Sequence, residues 1–342
     1  MHRCLELAQK GLGSVSPNPL VGAVLVYNDM IIGEGYHEKF GSAHAEVNCI
    51  HSVRDEHQSL IKESTLYISL EPCNHFGKTP PCTALIIQHE IKKVVVACSD
   101  PFEKVNGSGI LKLMSEGVDV IVGVLEKQAQ ELNQRFFVFH QSKRPYIILK
   151  WAQSSNGYIA DDTQSNTKIS NQFTDRLVHK WRSEEDAIMV GTNTALMDNP
   201  LLTTRLWTGK NPIRVVIDRK LKINSGSKIF DNSATTYLFN SSIQKIEHQT
   251  HFIQYKEDLS LIKQVNQTLY DRGVASIIVE GGSSMINSFL NEGSWDEIRI
   301  IVNQDLIIDS GLRAPLLHNL VAFKKENIFN DQIQYIKHHP LH

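Results

Sequence analysis

Along the first 140 positions, apolar residues gather in short β-rich runs: "LVGAVLVY" (20–27), "TLYISL" (65–70), "KKVVVACS" (92–99) and "VDVIVGV" (118–124). Each has strand length and is rich in branched side chains. Between them the spacing turns helical, from about Ala43, from about Cys82 and over "GILKLMSEG" (109–117). Strands alternating with helices predict a mixed or parallel sheet covered by helices. The stretch "FFVFHQSKRPYIILKWA" then passes from a helix end, through polar "QSKRP", into a new strand. That places a boundary between Ser142 and Pro145, giving a first domain over 1–142 and a second over 143–342. In the second, "YIILKWA" (146–152), "DAIMVG" (186–191), "IRVVID" (213–218), "TTYLF" (235–239), "ASIIVEGG" (275–282) and "EIRIIVN" (297–303) predict strands separated by helices or turns. The expected class is α/β in both halves.

Composition narrows the field. A length of 342 residues suits two domains, and 41% hydrophobic residues suit a globular core. Thirty-five basic residues stand against 37 acidic ones, for a net charge of −2. No Lys/Arg cluster supplies the positive strip that a phosphate backbone needs, so a small-molecule substrate is expected and a nucleic-acid partner is not. No apolar run approaches membrane-spanning length, and "MHRCLELAQKGLG" lacks the apolar core of a signal peptide. Five cysteines fit a reducing compartment with free thiols. A cytoplasmic enzyme without a membrane partner is the expectation, and a homo-oligomer is compatible with it.

Chemistry concentrates first in "GSAHAEVNCI" and "EPCNHFGKTPPC". His44, Cys73 and Cys82 offer one imidazole and two thiolates, a set that suits zinc with a fourth position open for water. Glu46, two residues from His44 on a first helical turn, is expected to stay out of the ligand set and shuttle protons to a leaving amine. H-x-E followed by Pro-Cys and a second cysteine is a zinc-deaminase pattern, here with eight residues between the thiols instead of two. Thr79 as an N-cap, with Pro80 in the first turn, would restart a helix for Cys82. Cys4, Cys49 and Cys98 read as packing residues, while His37 and His75 could contact a substrate or cap a loop.

With "PNPLVGAVLV", "GEGYHEKFGSAHAEV", "LEPCNHFGKTPPC" and "DPFEKVNGSGI" in this order, the first half resembles the deaminase domain of the bifunctional riboflavin-biosynthesis deaminase–reductase family. The resemblance implies a cytidine-deaminase-like fold that binds Zn2+ through His44, Cys73 and Cys82 and uses Glu46 as its proton shuttle. The implied substrate is 2,5-diamino-6-ribosylamino-4(3H)-pyrimidinone 5′-phosphate, which loses its ring amine as ammonia. Asn18 and Gly22 resemble the family's substrate-facing loop, with an Asn-stabilised turn as the plain alternative.

No G-x-G-x-x-G follows a strand in the second half, so a Rossmann site is not expected. Instead "SIIVEGGSSMINSFL" runs from a strand through Gly281 and Gly282 into a helix, a junction that suits close approach of a phosphate. "LKWAQSSNGYIA", "DAIMVGTNTALMDNPLLTTR" and "VEGGSSMINSFL" resemble the reductase domain of the same family, a dihydrofolate-reductase-like fold using NADPH to turn the ribosyl group into ribityl. The resemblance implies a cofactor site of Ala152, Lys168, Thr194, Asp198, Gly282, Ser283, Ser284, Met285, Ile286, Asn287 and Ser288. It implies substrate contacts at Asn166, Arg182, Leu202, Arg205 and Glu280, the arginines toward the 5′-phosphate.

The chain departs from the family at Ser155 and Asn156, where an apolar residue and a carboxylate are usual, and over 164–168, where a glycine, a serine and a tryptophan are missing. The alternative is therefore a deaminase-only enzyme with a degenerate reductase domain. A nucleoside or transfer-RNA deaminase would have shorter cysteine spacing, and a zinc-stabilised binding module would need no Glu46.

Overall fold

The computed structural model describes residues 1–76, 80–102, 105–162, 167–317 and 320–338. It divides into two compact units, Met1–Lys143 and Arg144–Pro340. In the first, α1 (His2–Gln9) precedes β1 (Gly22–Tyr27), β2 (Met30–Tyr36) and α2 (Ala45–His51). A 3-10 segment (Asp55–Glu63) leads to β3 (Thr65–Ile68), α3 (Cys82–Gln88), β4 (Lys93–Val96), α4 (Ser108–Ser115) and β5 (Asp119–Val122). Helices α5 (Glu126–Leu132) and α6 (Gln134–Ser142) close the unit. The sheet order is β2-β1-β3-β4-β5, antiparallel at β2/β1 and β1/β3 and parallel beyond. It is the mixed sheet the apolar runs predict. Its core joins Ala23, Leu25, Leu66, Ile68, Val94 and Val96 of the strands to Ala45, Cys49, Ile50 and Ile86 of the helices.

Strand β2 was not expected, because "MIIGEGY" carries two glycines and a glutamate. Those glycines have a packing cause. A Cβ on Gly35 would run into the main chain of Ala45, Asn48 and Cys49, and one on Gly33 would press on the Cys49 carbonyl. Bare backbone lets α2 lie directly on β2, which fixes where the first turn of α2 ends up.

The second unit contains β6 (Tyr146–Ser154), β7 (Tyr158–Asp161), α7 (Gln172–Glu184), β8 (Ala187–Gly191), α8 (Thr192–Asp198) and β9 (Ile213–Ile217). It continues with β10 (Thr236–Asn240), β11 (Lys245–Glu247), β12 (Thr250–Gln254), α9 (Leu261–Asp271), β13 (Ser276–Val279) and α10 (Ser283–Asn291). The last elements are β14 (Glu297–Asn303), β15 (Gly311–Arg313), β16 (Lys324–Ile328) and β17 (Asp331–Lys337). A ten-stranded sheet runs β11-β12-β10-β9-β8-β13-β6-β14-β17-β16, and β15 pairs with β7 in a small separate sheet. From β12 to β14 the neighbours are parallel, and β11, β17 and β16 attach antiparallel at the two sides.

The six strands expected from apolar runs are all present and form most of this parallel centre. They read as continuous apolar stretches because both faces are covered; β10 and β13 are buried along their whole length. The remaining strands, such as "KKENI" and "DQIQYIK", lie mainly toward the margins, carry more polar residues and gave no comparable signal.

Replacing Gly35 by Ala should destabilise the first unit by about 1–3 kcal/mol, because the methyl must displace main chain rather than a movable side chain. Urea denaturation followed by far-UV circular dichroism measures this, and an unchanged midpoint would contradict the packing argument.

Candidate functional site

In the first unit, His44 caps the N-terminus of α2 in an extended conformation, and Glu46 lies in the helix's first turn, 3% exposed. Cys82 is the first residue of α3, where Pro81 rather than Thr79 takes the cap position; Thr79 lies outside the described residues. Cys73 follows β3 and accepts the Cys82 main-chain N–H at 3.4 Å. His44 Nδ1 is 3.3 Å from Cys82 Sγ and 3.6 Å from Cys73 Sγ, and the three donor atoms lie within 4.8 Å of one another. A nitrogen and a sulfur held at about 2.0 and 2.3 Å by one tetrahedral zinc ion sit about 3.5 Å apart, so the trio fits zinc.

Its electrostatics agree. Hydrogen bonds from Cys82 and His44 outweigh burial and push the Cys73 thiol down to about 4. Burial pushes the Glu46 carboxyl up to about 6, assisted by Cys73 and opposed by His44.

His37 lies at the edge of this site, buried, with its ring 5.5 Å from that of His44 and nearly perpendicular to it. Its Nδ1 meets the Ala43 carbonyl at 3.0 Å and its Nε2 meets Asn18 Nδ2 at 3.1 Å. A carbonyl can only accept, so Nδ1 carries the proton and Nε2 accepts from Asn18. Both residues thus belong to one hydrogen-bonded chain. His75 is exposed.

Sequence reasoning missed Glu71. Buried at the end of β3's run, its carboxylate accepts main-chain N–H groups from Gly107 and Gly109 at 2.9 Å, Asp100 at 3.2 Å and Ile110 at 3.4 Å. It ties Asp100 and residues 107–110, where α4 begins, to the strand that leads into Cys73. An acid inside the apolar "YISLEPC" was the available signal.

In the second unit, the carboxylate of Glu280, 9% exposed, follows β13 and receives Arg182 Nε at 2.9 Å and Nη2 at 2.8 Å. Lys150 Nζ approaches the same carboxylate at 3.4 Å. Burial alone would raise the Glu280 pKa, but the Arg182 and Lys150 charges and hydrogen bonds hold it down at about 2. Arg182 is therefore no solvated surface charge: most of its fork is spent on Glu280. Lys150 was overlooked, although a lysine inside the strand "YIILKWA" is itself unusual. One carboxylate and two cations leave this cluster with one positive charge beside the exposed Arg205.

The expected cofactor residues fall into two groups. Gly282 donates its N–H to Thr194 Oγ1 at 3.2 Å, which joins α8 to the start of α10. The two glycines differ in cause: a Cβ on Gly281 would meet Met285 Cβ at 2.9 Å, whereas on Gly282 the nearest atom is Thr194 Oγ1 at 3.7 Å. Gly281 is thus needed for α10 packing, and Gly282 presents open backbone. Along α10, Ser283, Met285 and Asn287 are part-buried, Ser284 and Ser288 are exposed, and Ile286 is fully buried in the core. Ala152 is part-buried on β6, and Asp198 is exposed at the end of α8. Leu202 is buried with φ +54°, and Lys168 is exposed in an ion pair with Asp175 at 3.2 Å. Asn166 lies outside the described residues.

Two family models match this chain: the cytidine and deoxycytidylate deaminase zinc-binding region over residues 1–98 and the RibD C-terminal domain over residues 145–314. The riboflavin biosynthesis protein RibD of Aquifex aeolicus is 38% identical across 98% of this chain and 97% of its own length. The chain belongs to the RibD family. The RibD of Bacillus amyloliquefaciens is likewise 38% identical, over 93% of this chain and 86% of its own. Among solved structures, the diaminohydroxyphosphoribosylaminopyrimidine deaminase/5-amino-6-(5-phosphoribosylamino)uracil reductase of Thermotoga maritima superposes with a TM-score of 0.90 at 35% identity, covering 98% of this chain and 97% of that one. Acinetobacter baumannii RibD gives 0.87 at 29% identity over the same shares.

This chain is therefore a riboflavin-biosynthesis enzyme with a zinc-binding deaminase region followed by a reductase domain. Its departure at Asn156 has a local cause. Asn156 Nδ2 donates to the Ile308 carbonyl at 2.8 Å, while Oδ1 accepts from Ile308 N at 3.2 Å and from Ser154 Oγ at 2.7 Å. A carboxylate could make the last two bonds but not the first.

Replacing Glu280 by Gln should cost the protein about 3 kcal/mol, because two part-buried cations lose their counter-charge. The pH dependence has a definite sign. A carboxyl near 4.3 when unfolded and near 2 when folded stabilises the protein above the unfolded value and ceases to do so as pH falls through the folded one. The stability gap between wild type and Glu280→Gln should be constant above pH ~5 and shrink below pH ~4. Chemical denaturation across that range tests it; a gap that widens in acid would refute the pairing.

Proposed function

We propose that this protein deaminates 2,5-diamino-6-ribosylamino-4(3H)-pyrimidinone 5′-phosphate in residues 1–142 and reduces the ribosyl group of the product in residues 143–342, giving 5-amino-6-ribitylaminouracil 5′-phosphate. The observation that carries the first half is the convergence of His44, Cys73 and Cys82 beside a buried Glu46. Zinc held by those three residues would supply Lewis acidity toward a water at neutral pH. Glu46, whose pKa lies near 6, takes a proton from the attacking water and hands it to the departing amine, so its carboxyl ends the cycle as it began. Asn18, held by His37, orients the ring.

For the second half, NADPH bound along Ala152, Lys168, Thr194, Asp198 and the backbone from Gly282 to Ser288 would supply the hydride that C1′ accepts. As the C1′–O4′ bond opens, O4′ needs a proton, and Lys150 is a donor held in place by Glu280. Arg205, with the Nη1 edge of Arg182, binds the 5′-phosphate, and Leu202 contributes backbone to the same contact. Asn166 completes the substrate set. The substrate is small, and no nucleic-acid or membrane partner is required; among the described residues no helix is long and apolar enough to cross a membrane. A cytoplasmic enzyme is the reading that the free thiols support.

Glu46→Gln should lower ammonia release by about 10²- to 10⁴-fold while the purified protein keeps its zinc by elemental analysis. Loss of zinc, or undiminished deamination, would remove Glu46 from this role. In the wild type, ammonia release should be followed by loss of NADPH absorbance in the same cuvette. Ammonia without NADPH oxidation would defeat the two-step reading.

A further inference from the structure

Arg214, the second residue of β9, is completely buried, and neither reaction above uses it. Its guanidinium reaches two separate segments, Leu201 and residues 229–233. Nε donates to the Leu201 carbonyl at 2.9 Å, Nη1 to the Ile229 carbonyl at 2.9 Å and to Asp231 at 2.7 Å, and Nη2 to Ser233 Oγ at 2.7 Å. An apolar side chain would fill the same place in β9 without the desolvation of a charge. A planar fork of five donors joins both segments to β9 at once, so the cost of the charge is set against that bridging.

One of those segments leads to the substrate side of the reductase. Leu201 precedes Leu202, whose φ of +54° is a left-handed conformation that a leucine rarely adopts, and Asn199 two residues earlier is at +38°. Such backbone persists only where its surroundings over-determine it. Here they do. Beyond Leu202, the Thr203 carbonyl accepts Arg182 Nη1 at 3.4 Å, the Thr204 N–H donates to Asn211 Oδ1 at 3.0 Å, and Thr204 Oγ1 donates to the Lys210 carbonyl at 3.0 Å. The next residue is Arg205. Arg214 and Asn211 thus hold the segment from its two sides, immediately before the arginine that faces solvent.

We propose that Arg214 and Asn211 are positioning residues that lock residues 201–205, with Leu202 in its left-handed conformation, and thereby set the reductase's affinity for the phosphate of its substrate. The inference rests on the reading of Arg205 as a phosphate contact. Neither residue touches substrate; both act through the main chain that presents Arg205.

Kinetics on the full chain, with the deaminated phosphorylated pyrimidine and NADPH, test this. Arg214→Lys keeps the charge beside Asp231 but has no fork to reach Leu201 as well. It should raise the KM for the phosphorylated substrate about tenfold, with kcat within about threefold. The Kd for NADPH and the ammonia release of the same preparation should stay at wild-type values. With the dephosphorylated substrate, wild type and Arg214→Lys should give equal kcat/KM, which a general weakening of the fold would not do. An unchanged KM for the phosphorylated substrate, or an equal loss with both substrates, overturns the proposal. If Arg214→Lys does not accumulate as folded protein, Asn211→Ala at the exposed side decides in the same terms: a raised KM upholds it and an unchanged one overturns it. Arg205→Ala separates the two layers of argument. A normal KM in Arg205→Ala defeats the phosphate reading itself, whereas a raised KM there with a normal KM in Arg214→Lys defeats only the positioning role.

Discussion

A carboxylate or guanidinium taken out of water gives up hydration worth several kcal/mol, and the structure around it must return that energy through charges or hydrogen bonds. Both units of this chain are arranged under that constraint. In the first, buried Glu71 collects four main-chain donors, and meeting them fixes Asp100 and the start of α4 against the end of β3's run. In the second, Glu280 is met by Arg182 and Lys150, drawing α7 and β6 to the end of β13. The thiols of Cys73 and Cys82 follow the same logic, with His44 and a helix-start N–H supplying what water would.

This explains how far the function was legible before the fold was known. Ligand chemistry was: an imidazole, two thiols and a carboxylate at these spacings point to one reaction class, and the structure brings the three metal-binding candidates together. The central strands were legible because they are buried on both faces, which forces continuous apolar runs. Strand β2 was not, since its glycines answer to the main chain of α2, a partner with no signature in the local pattern. Lys150, Glu71 and Arg214 were missed for a related reason. Each is a charge inside an apolar run, meaningful only once its distant partners, up to 130 residues away for Lys150, are in place.

The two glycines before α10 show how one motif can hold two causes. Strand–Gly–Gly–helix reads as a place where backbone nears a ligand, yet the space beside Gly281 belongs to Met285 of the same helix. Only Gly282 retains open approach, and its own N–H is already turned toward Thr194. Within α10, the alternation of buried Ile286 and Phe289 with exposed Ser284 and Ser288 means that the helix serves core and solvent simultaneously. Its stability and its ligand contacts therefore draw on different residues.

Asn156 carries an implication for how the turn is held. Its amide both gives to and takes from the Ile308 main chain, so the two sides of that contact are fitted to each other. An acid at this position would set a negative oxygen against the Ile308 carbonyl, so the amide and not a carboxylate is the group this contact accepts. An amide that reads along the chain as a lost carboxylate is, in the fold, the group that ties the turn between β6 and β7 to the Ile308 main chain.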